Sequence, residues 1–282
     1  MYTFIVQYWL VLEVEERAAK NNQLKEKGFD TSPYGISKIG VSLITHIQQK
    51  QLDESGAQDI VVNCVTGANK GLGFGIVRGL CKAFEGDVFL TARDEGRGRA
   101  AVAELEKEDL HPKFHLLDIS DHDSIVKLKD FLQSNYGGLD LLVNNAAIAY
   151  EFNSVPSPPI GQAAEEVCKI NYFGTLDVCQ TLFPLLRPHA RVCNVSSINC
   201  EFSLAECGEE LKARIRNPDL TIDDVTALCD VGLVSTDMTG GAGMPIDLGA
   251  MTPLYCCLLP PDVESPRGKF IMNKRTYDWL NN

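Results

Sequence analysis

The amino-acid sequence predicts an α/β fold in which helices flank one doubly wound, mostly parallel sheet. Three observations carry this prediction. Short apolar runs alternate with helical patterns from residue 60 to residue 197, as expected for a parallel sheet. A glycine-rich turn joins the first of these runs to a helical pattern. Polar residues follow several of the runs, and functional groups collect where parallel strands end.

The glycine-rich turn covers residues 66–73, with the sequence Thr-Gly-Ala-Asn-Lys-Gly-Leu-Gly. An apolar run at residues 60–65 enters it, and a helical pattern of apolar residues leaves it. This arrangement receives a dinucleotide, because free N–H groups at the start of the helix face the phosphates. We expect Gly67 to allow the tight turn, Gly71 the approach of the pyrophosphate, and Gly73 close helix–strand packing. A turn without a ligand is the alternative.

The other elements are each predicted from their own pattern. Residues 15–31 are charged and indicate a helix end and a loop, and residues 34–51 carry the apolar face of a helix. Strands are predicted at residues 87–91, 113–117, 139–143 and 191–195, and helices at residues 98–110, 121–136 and 161–186. Beyond residue 197 the pattern weakens, with helical stretches at 204–228 and 247–259 and a short strand at 269–272. No repeat or low-complexity linker divides the chain, so residues 1–282 are predicted to form a single domain.

Residues 1–14 form a strongly apolar N-terminal extension. This stretch is too short to span a bilayer comfortably, and it lacks the basic start and small-residue cleavage site of a signal peptide. We therefore expect a helix or strand that packs within the protein. An interfacial membrane anchor is the alternative.

Composition limits the partners and the compartment. The net charge of -12 argues against nucleic acid and anionic membrane surfaces as partners. The ten cysteines are scattered through apolar runs, with no CxxC pair and no Cys/His cluster. This usage predicts reduced thiols in a cytoplasmic protein, without a metal site.

Five motifs of the chain resemble those of the short-chain dehydrogenase/reductases. They are the glycine turn at residues 66–73, Asn-Asn-Ala-Ala at 144–147, Asn171 within Ile-Asn-Tyr-Phe-Gly, Ser196-Ser197, and Tyr-Gly-Ile-Ser-Lys at 34–38. Residues 34–40, 91–94 and 258–261 look like the NADPH-dependent carbonyl reductase subgroup. The resemblance implies a Rossmann-type fold, NADPH/NADP+ as cofactor, and reduction of a small ketone, aldehyde or quinone to an alcohol.

The order of the motifs differs from that of the family, which implies rearranged strand connectivity. In the family the Tyr-Lys helix follows the serine strand, whereas here it precedes the glycine turn. We interpret residues 15–58 as a catalytic-helix segment transposed from between residues 229 and 230. In that order a long insertion separates Ser197 from Tyr34, as it does in carbonyl reductases. In those enzymes the insertion covers a surface that other family members use to form oligomers, so the resemblance implies a monomer. Residues 60–64 then serve as two strands of the family at once, and residues 227–229 are predicted to lie beside the serine strand.

The resemblance assigns catalytic roles to four residues: Tyr34, Lys38, Ser197 and Asn171. Tyr34 protonates the carbonyl oxygen, and Lys38, one helical turn on, stabilises the phenolate and binds the nicotinamide ribose. Ser197 donates a hydrogen bond to the same oxygen. Asn171 kinks its helix and holds a water in a relay to Lys38. The alternatives are a solvated helix face for Tyr34 and Lys38, a strand-end cap for Ser197, and a buried amide bonded to backbone for Asn171.

Cations mark the expected cofactor site. Arg93 occupies the place where an NAD enzyme carries an acid, and Lys70 and Arg97 are near in sequence, as a 2′-phosphate requires. Asp94 follows directly, so discrimination against NAD is incomplete, and Arg93 as a plain surface cation is the alternative. The full cofactor-binding set implied is Gly67, Asn69, Lys70, Gly71, Leu72, Gly73, Arg93, Arg97, Asp118, Ile119, Asn145, Lys38 and Thr236. In this set Asp118 and Ile119 match adenine contacts, and Asn145 lies beneath the ribose.

Two alternative hypotheses about this protein remain open. One is a catalytically impaired relative that binds nucleotide or a partner, because the active site is assembled from distant segments and Val231 replaces a family proline. The other is a faulty gene structure, in which case the chain does not fold well.

Overall fold

The structure, a computed structural model, describes residues 3–6, 62–150, 165–197, 204–205, 208–217, 220–223, 270–272 and 275–277. The strands in these residues are β1 Thr3–Val6, β2 Val62–Val65, β3 Asp87–Ala92, β4 Lys113–Leu116, β5 Leu139–Asn144, β6 Leu186–Asn194, β7 Phe270–Met272 and β8 Arg275–Tyr277. The helices are α1 Gly71–Ala83, α2 Glu95–Glu106, α3 His122–Tyr136, α4 Thr175–Leu182 and α5 Glu209–Ile215. A π-helix, Lys169–Gly174, leads into α4, and a 3-10 turn, Phe183–Leu185, follows it.

The strands form one sheet in the order β4-β3-β2-β5-β6-β1-β7-β8. Every neighbouring pair is parallel except β7 and β8, which are antiparallel. From β2 the chain builds outwards through β3 and β4 on one side and through β5 and β6 on the other. The predicted doubly wound, mostly parallel α/β fold is therefore confirmed, with a topological switch point between β2 and β5.

The N-terminal extension supplies an internal strand of this sheet. β1 lies between β6 and β7, and its register with β6 runs from Thr3 beside Arg191 to Val6 beside Asn194. A packed strand at residues 3–6 agrees with the sequence-based prediction. Residues 227–229, which are predicted to lie beside the serine strand, are outside the described residues, and β1 occupies the position next to β6. The run Thr-Phe-Ile-Val has the β-branched and aromatic composition that strands favour, which Ala-Leu-Cys has less strongly.

Apolar clusters cover the two faces of the sheet. Beneath α1 and α2 one cluster includes Ile76, Leu80 and Leu105. Beneath α3 and α4 a second cluster includes Leu128 and Leu182. Alternate residues of β2 belong to opposite clusters. Complete burial of a large apolar side chain in either cluster contributes about 1.5–3 kcal/mol to the free energy of unfolding. The two clusters hold the carboxyl ends of the strands in fixed relative positions.

Several element ends differ from the predictions, most clearly at the end of α4 and the starts of β6 and α2. The helix predicted to reach residue 186 changes to a 3-10 turn after Leu182, because Pro184 lacks an N–H, and β6 begins at Leu186 rather than at 191. Helix α2 begins at Glu95 rather than at 98. β8 was not predicted, and the predicted helices at 34–51 and 247–259 lie outside the described residues.

The described part of the chain contains five cysteines, at positions 64, 81, 168, 179 and 193, and none of them is in a disulfide bond. None of its His, Cys, Asp and Glu side chains form a group that could hold a metal ion. None of its helices combines the length and the apolar character needed to cross a bilayer.

Candidate active site

The glycine turn lies against the end of β5, and two glycines make this possible. Gly67 has φ +60, and a Cβ atom on it would lie 2.8 Å from the Cα atom of Ala146. A Cβ atom on Gly73 would lie 2.4 Å from Nδ2 of Asn145 and 2.9 Å from the Cα atom of Ala68. Any larger residue at either position would push the turn away from β5. The predicted tight turn at Gly67 and close packing at Gly73 are both present.

Asn145 and Thr66 fix the shape of the turn. The Thr66 hydroxyl accepts hydrogen bonds from the backbone N–H groups of Asn145 at 2.9 Å and Ala146 at 3.0 Å. The Asn145 amide in turn donates to the carbonyl oxygens of Thr66 at 2.9 Å and Gly67 at 3.1 Å. Asn145 therefore supports the turn directly, while its predicted place beneath the ribose stays a prediction. Sequence analysis missed Thr66, although a hydroxyl residue directly before the first glycine was visible.

Helix α1 starts from this turn without a side-chain cap. Its N-cap residue, Lys70, is exposed and makes no capping hydrogen bond, and the helix begins at Gly71. A Cβ atom on Gly71 would meet nothing within 4 Å, so the space in front of the helix is open. Uncapped N–H groups and the helix dipole make this end a place for an anion. Leu72, by contrast, packs its side chain against the core.

A cationic cavity adjoins the same turn. It has a volume of about 420 Å³ and is lined by Asn69, Lys70, Gly71, Phe74, Arg97, Ala100, Ala101 and Glu104. Lys70 and Arg97, two of the three predicted cations, thus meet in one cavity. The third, Arg93, follows β3 directly and is exposed.

Asp94, the acid next to Arg93, is used by the fold. Its carboxylate accepts a hydrogen bond from the backbone N–H of Arg97 at 2.8 Å and so caps the start of α2. The same carboxylate lies 3.9 Å from the Arg97 guanidinium. Because this carboxylate caps α2 whether or not a cofactor is bound, Asp94 is a weaker candidate for a ribose ligand.

The residues after β4 are also fixed in place. The Asp118 carboxylate accepts hydrogen bonds from the backbone N–H of Ser120 at 2.9 Å and from its hydroxyl at 2.7 Å. Ile119 is buried, and a Cβ atom on Gly174 would lie 2.6 Å from its carbonyl oxygen. Of the predicted adenine-contacting pair, Ile119 therefore lies against the π-helix segment, and Asp118 is bonded to Ser120.

Asn171 lies in the π-helix and is 1% exposed. Its side-chain oxygen accepts from the backbone N–H of Ile148 at 2.8 Å, and its amide donates to the carbonyl of Ile148 at 2.9 Å. The π-helix is a local irregularity at the place where a kink is predicted, and the side chain makes the backbone bonds that the alternative described. A π-turn often marks a functional site. The water relay to Lys38 stays a prediction.

Ser197 follows the end of β6 at the same edge of the sheet. The backbone N–H of Val195 donates to the carbonyl of Asn144 at 2.8 Å, which continues the contact between β5 and β6 beyond the strands. Ser197 is half-buried, and the hydroxyl of its neighbour Ser196 is buried with no hydrogen-bond partner in the described residues. Ser197, the glycine turn and the backbone at Ile148 that Asn171 binds thus lie at the same edge of the sheet, where the parallel strands end. Tyr34, Lys38 and Thr236 lie outside the described residues.

Comparison with known proteins agrees with this arrangement. The family profile described as short chain dehydrogenase matches residues 61–208. "Carbonyl reductase [NADPH] 1" of Bos taurus is 42% identical over 275 residues, covering 77% of this chain and 99% of the relative. The Homo sapiens protein of the same name is 41% identical, covering 78% and 99%.

Solved structures show the same fold. Salutaridine reductase from Papaver somniferum superposes with a TM-score of 0.53 at 29% identity, covering 61% of this chain and 69% of that chain. Menthone neomenthol reductase from Mentha piperita also has a TM-score of 0.53, at 22% identity, which supports the fold alone. With the glycine turn, the π-helix asparagine and the serine strand at one edge of the sheet, the chain belongs to the short-chain dehydrogenase family.

Proposed function

We propose that this protein reduces the carbonyl group of a small ketone, aldehyde or quinone to an alcohol, with NADPH as the hydride donor. One observation carries the proposal: the uncapped start of α1 opens beside a cavity that holds both Lys70 and Arg97. Backbone N–H groups there suit the pyrophosphate, and the cations suit a 2′-phosphate. The names of the bovine and human relatives, both carbonyl reductases that use NADPH, support the same reaction.

The residues of the chain would divide the work as follows. NADPH, when bound, supplies the hydride. Tyr34 donates the proton to the substrate oxygen, and Lys38 stabilises the resulting phenolate. Ser197 donates a hydrogen bond to the same oxygen as negative charge develops on it. Asn171 holds the backbone at Ile148 in place. The π-turn around Asn171 would leave backbone groups for the relay water to bind.

We further propose that residues 15–58 are the transposed catalytic segment within one domain. β1 supports this reading, because it fills the position beside the serine strand and leaves β2 to act as the first strand alone. The alignment with the bovine relative also supports it. That alignment runs over 275 positions but uses 77% of the 282 residues of this chain, about 217, so the relative has several tens of residues with no aligned counterpart.

The proposed location and assembly state are a cytoplasmic monomer. The five cysteines of the described residues are not in disulfide bonds, and burial raises the pKa of Cys64 to about 12, so that it stays protonated and inert. Monomeric assembly rests on the long spacing between Ser197 and Tyr34 when the segments are rejoined.

Substitution of Tyr34 tests the function. We expect Tyr34→Phe to lower the rate of NADPH oxidation with a quinone by at least about a hundredfold, because the proton donor is lost. Tyr136→Phe is the matched control: its hydroxyl accepts from Lys113 at 2.9 Å at the end of α3, on the opposite edge of the sheet. Tight NADPH binding without turnover in the unmodified protein would instead support the catalytically impaired alternative.

A further inference from the structure

The last residue of the π-helix, Gly174, meets the β4–α3 loop, residues 117–121. A Cβ atom on Gly174 would lie 2.6 Å from the carbonyl oxygen of Ile119 and 3.3 Å from its Cγ1 atom. Gly174 has φ -63 and ψ -42, which is ordinary helical geometry, so its backbone does not require glycine. Glycine in a helix is also less favourable than alanine. The close approach of Ile119 explains why glycine, rather than a larger residue, occupies this position.

The same helical segment holds the other end of the loop, where α3 begins, through Asp177. Nδ1 of His122 donates to the Asp177 carboxylate, whose two oxygens both lie 2.9 Å away. The Thr181 hydroxyl donates to this carboxylate at 3.1 Å and so fixes its orientation. Asp177 comes three residues after Gly174, and His122 comes three residues after Ile119. The loop therefore contacts the helical segment at two points that have the same spacing on both sides.

Hydrogen bonds within the loop connect these two points. The backbone N–H of Asp118 donates to the Ser124 hydroxyl at 3.0 Å, which ties the loop to the first turn of α3. The Asp118 carboxylate accepts from the backbone N–H and the hydroxyl of Ser120. Because Ile119 lies between these bonded residues, a displacement of Ile119 also displaces Asp118.

We infer that Gly174 and Asp177 are positioning residues for the adenine end of the cofactor. The inference rests on the proposed function, in which Asp118 and Ile119 contact the adenine. Gly174 lets the loop approach the π-helix, and Asp177 keeps it there through His122. Adenine is common to NADPH and NADH, so the affinity for both dinucleotides should depend equally on these contacts.

Alanine at position 174 tests the close approach. Calorimetric titration of the full chain with NADPH, NADH and adenosine 2′,5′-bisphosphate gives three dissociation constants without requiring turnover. We expect Gly174→Ala to raise all three by the same factor, about fivefold or more, because the added methyl group displaces Ile119.

Gly96→Ala is the matched control for the added methyl group. Gly96 is also a helical glycine, in α2, and a Cβ atom on it would meet Oδ1 of Asp94 at 3.5 Å, which is an ordinary contact distance. We expect this variant to change none of the three dissociation constants by more than about twofold.

Substitution of Asp177 gives a second test that adds no bulk. We expect Asp177→Ala to raise the same three dissociation constants by about twofold, the size of effect that a partly exposed ion pair can have. Asp177→Asn keeps an oxygen that accepts from His122, so its loss should be smaller. If circular dichroism shows that Gly174→Ala does not fold, these two variants decide the inference. Asp177→Ala that binds the bisphosphate as tightly as the unmodified protein would then overturn it.

Stoichiometry and kinetics separate positioning from a structural role. A structural role lowers the fraction of chains that bind, and therefore the stoichiometry and kcat, but leaves the dissociation constant of the remaining sites unchanged. Positioning predicts full stoichiometry, a raised KM for NADPH and an unchanged kcat at saturating NADPH. Unchanged affinity of folded Gly174→Ala for the bisphosphate would overturn the inference. A loss confined to NADPH would also do so, because it indicates an effect on the 2′-phosphate.

The remaining outcomes distinguish this inference from the proposed function. If Gly174→Ala raises only the KM for the carbonyl substrate, the inference fails while the reductase function stands. If the unmodified protein binds NADPH but reduces no carbonyl, the function fails and the binding comparison still decides the inference. An unmodified chain that binds none of the three ligands overturns both.

Discussion

Asn63 and Asn144 are buried asparagines on neighbouring strands, and they differ in whether the amide nitrogen has a hydrogen-bond partner. Asn63 lies in β2 between Val88 and Leu141, is fully buried, and has neither amide atom hydrogen-bonded within the described residues. The Asn144 amide donates to Asn194 at 2.7 Å and to the Cys179 sulfur at 3.2 Å. A buried polar group without a partner costs free energy that a bonded one recovers.

Replacing Asn63 should therefore stabilise the protein. We predict that Asn63→Val raises the free energy of unfolding by about 1–3 kcal/mol, because it removes the unpaired amide from an apolar cluster. Urea denaturation measures the change. Asn144→Val is the matched control and should lower the free energy of unfolding, since it leaves Asn194 without this donor. A lower stability for Asn63→Val would show that its amide is paired after all.

Sequence patterns identify some site residues and leave others open. Gly67 and Gly73 are predictable, because only glycine fits their positions and their spacing shows it. Asp94 is not, since an acid before a helix suits a cap and a ribose equally well. His122 and Asp177 follow no spacing rule, because the residues between them give no pattern that predicts the contact.

At the scale of elements, β1 is the part whose removal should matter most. It pairs with β6 over four residues and also contacts β7, so deleting residues 1–6 would leave both strands with an open edge. We predict a loss of about 2–4 kcal/mol of unfolding free energy from the lost ladder, measured by urea denaturation, with increased aggregation. Deletion of residues 1–2 alone keeps β1 and serves as control. Equal stability of the two deletions would show that β1 is dispensable.

The sequence predicts the existence of most elements better than their ends or partners. An apolar N-terminal stretch must be buried, but its neighbour β6 lies about 185 residues away, and periodicity carries no information on such pairing. Pro184 and Pro188 flank the start of β6, and a strand containing proline is difficult to recognise. Because β1 lies beside β6, residues 60–64 need not act as two strands of the family at once.

At the scale of the whole molecule, the single domain is a prediction that unfolding can test. Both tryptophans follow strands of one half of the sheet closely in sequence: Trp9 comes three residues after β1, and Trp279 two residues after β8. We predict that tryptophan fluorescence and far-ultraviolet circular dichroism give the same unfolding midpoint in urea, because one domain unfolds as a unit. Two separate midpoints would indicate two domains. The absence of a cooperative transition would support the faulty gene structure.

The position of β1 also has a consequence for synthesis on the ribosome. The β6 partners of residues 3–6, at residues 191–194, are synthesised about 190 residues later than residues 3–6 themselves. At about 5–20 residues per second, the strand waits roughly 10–40 seconds before its neighbour exists. During that interval an apolar segment with unpaired backbone groups is exposed to other chains. We therefore expect chaperones that hold apolar segments to bind the nascent chain, and its yield to depend on them more than its final stability does.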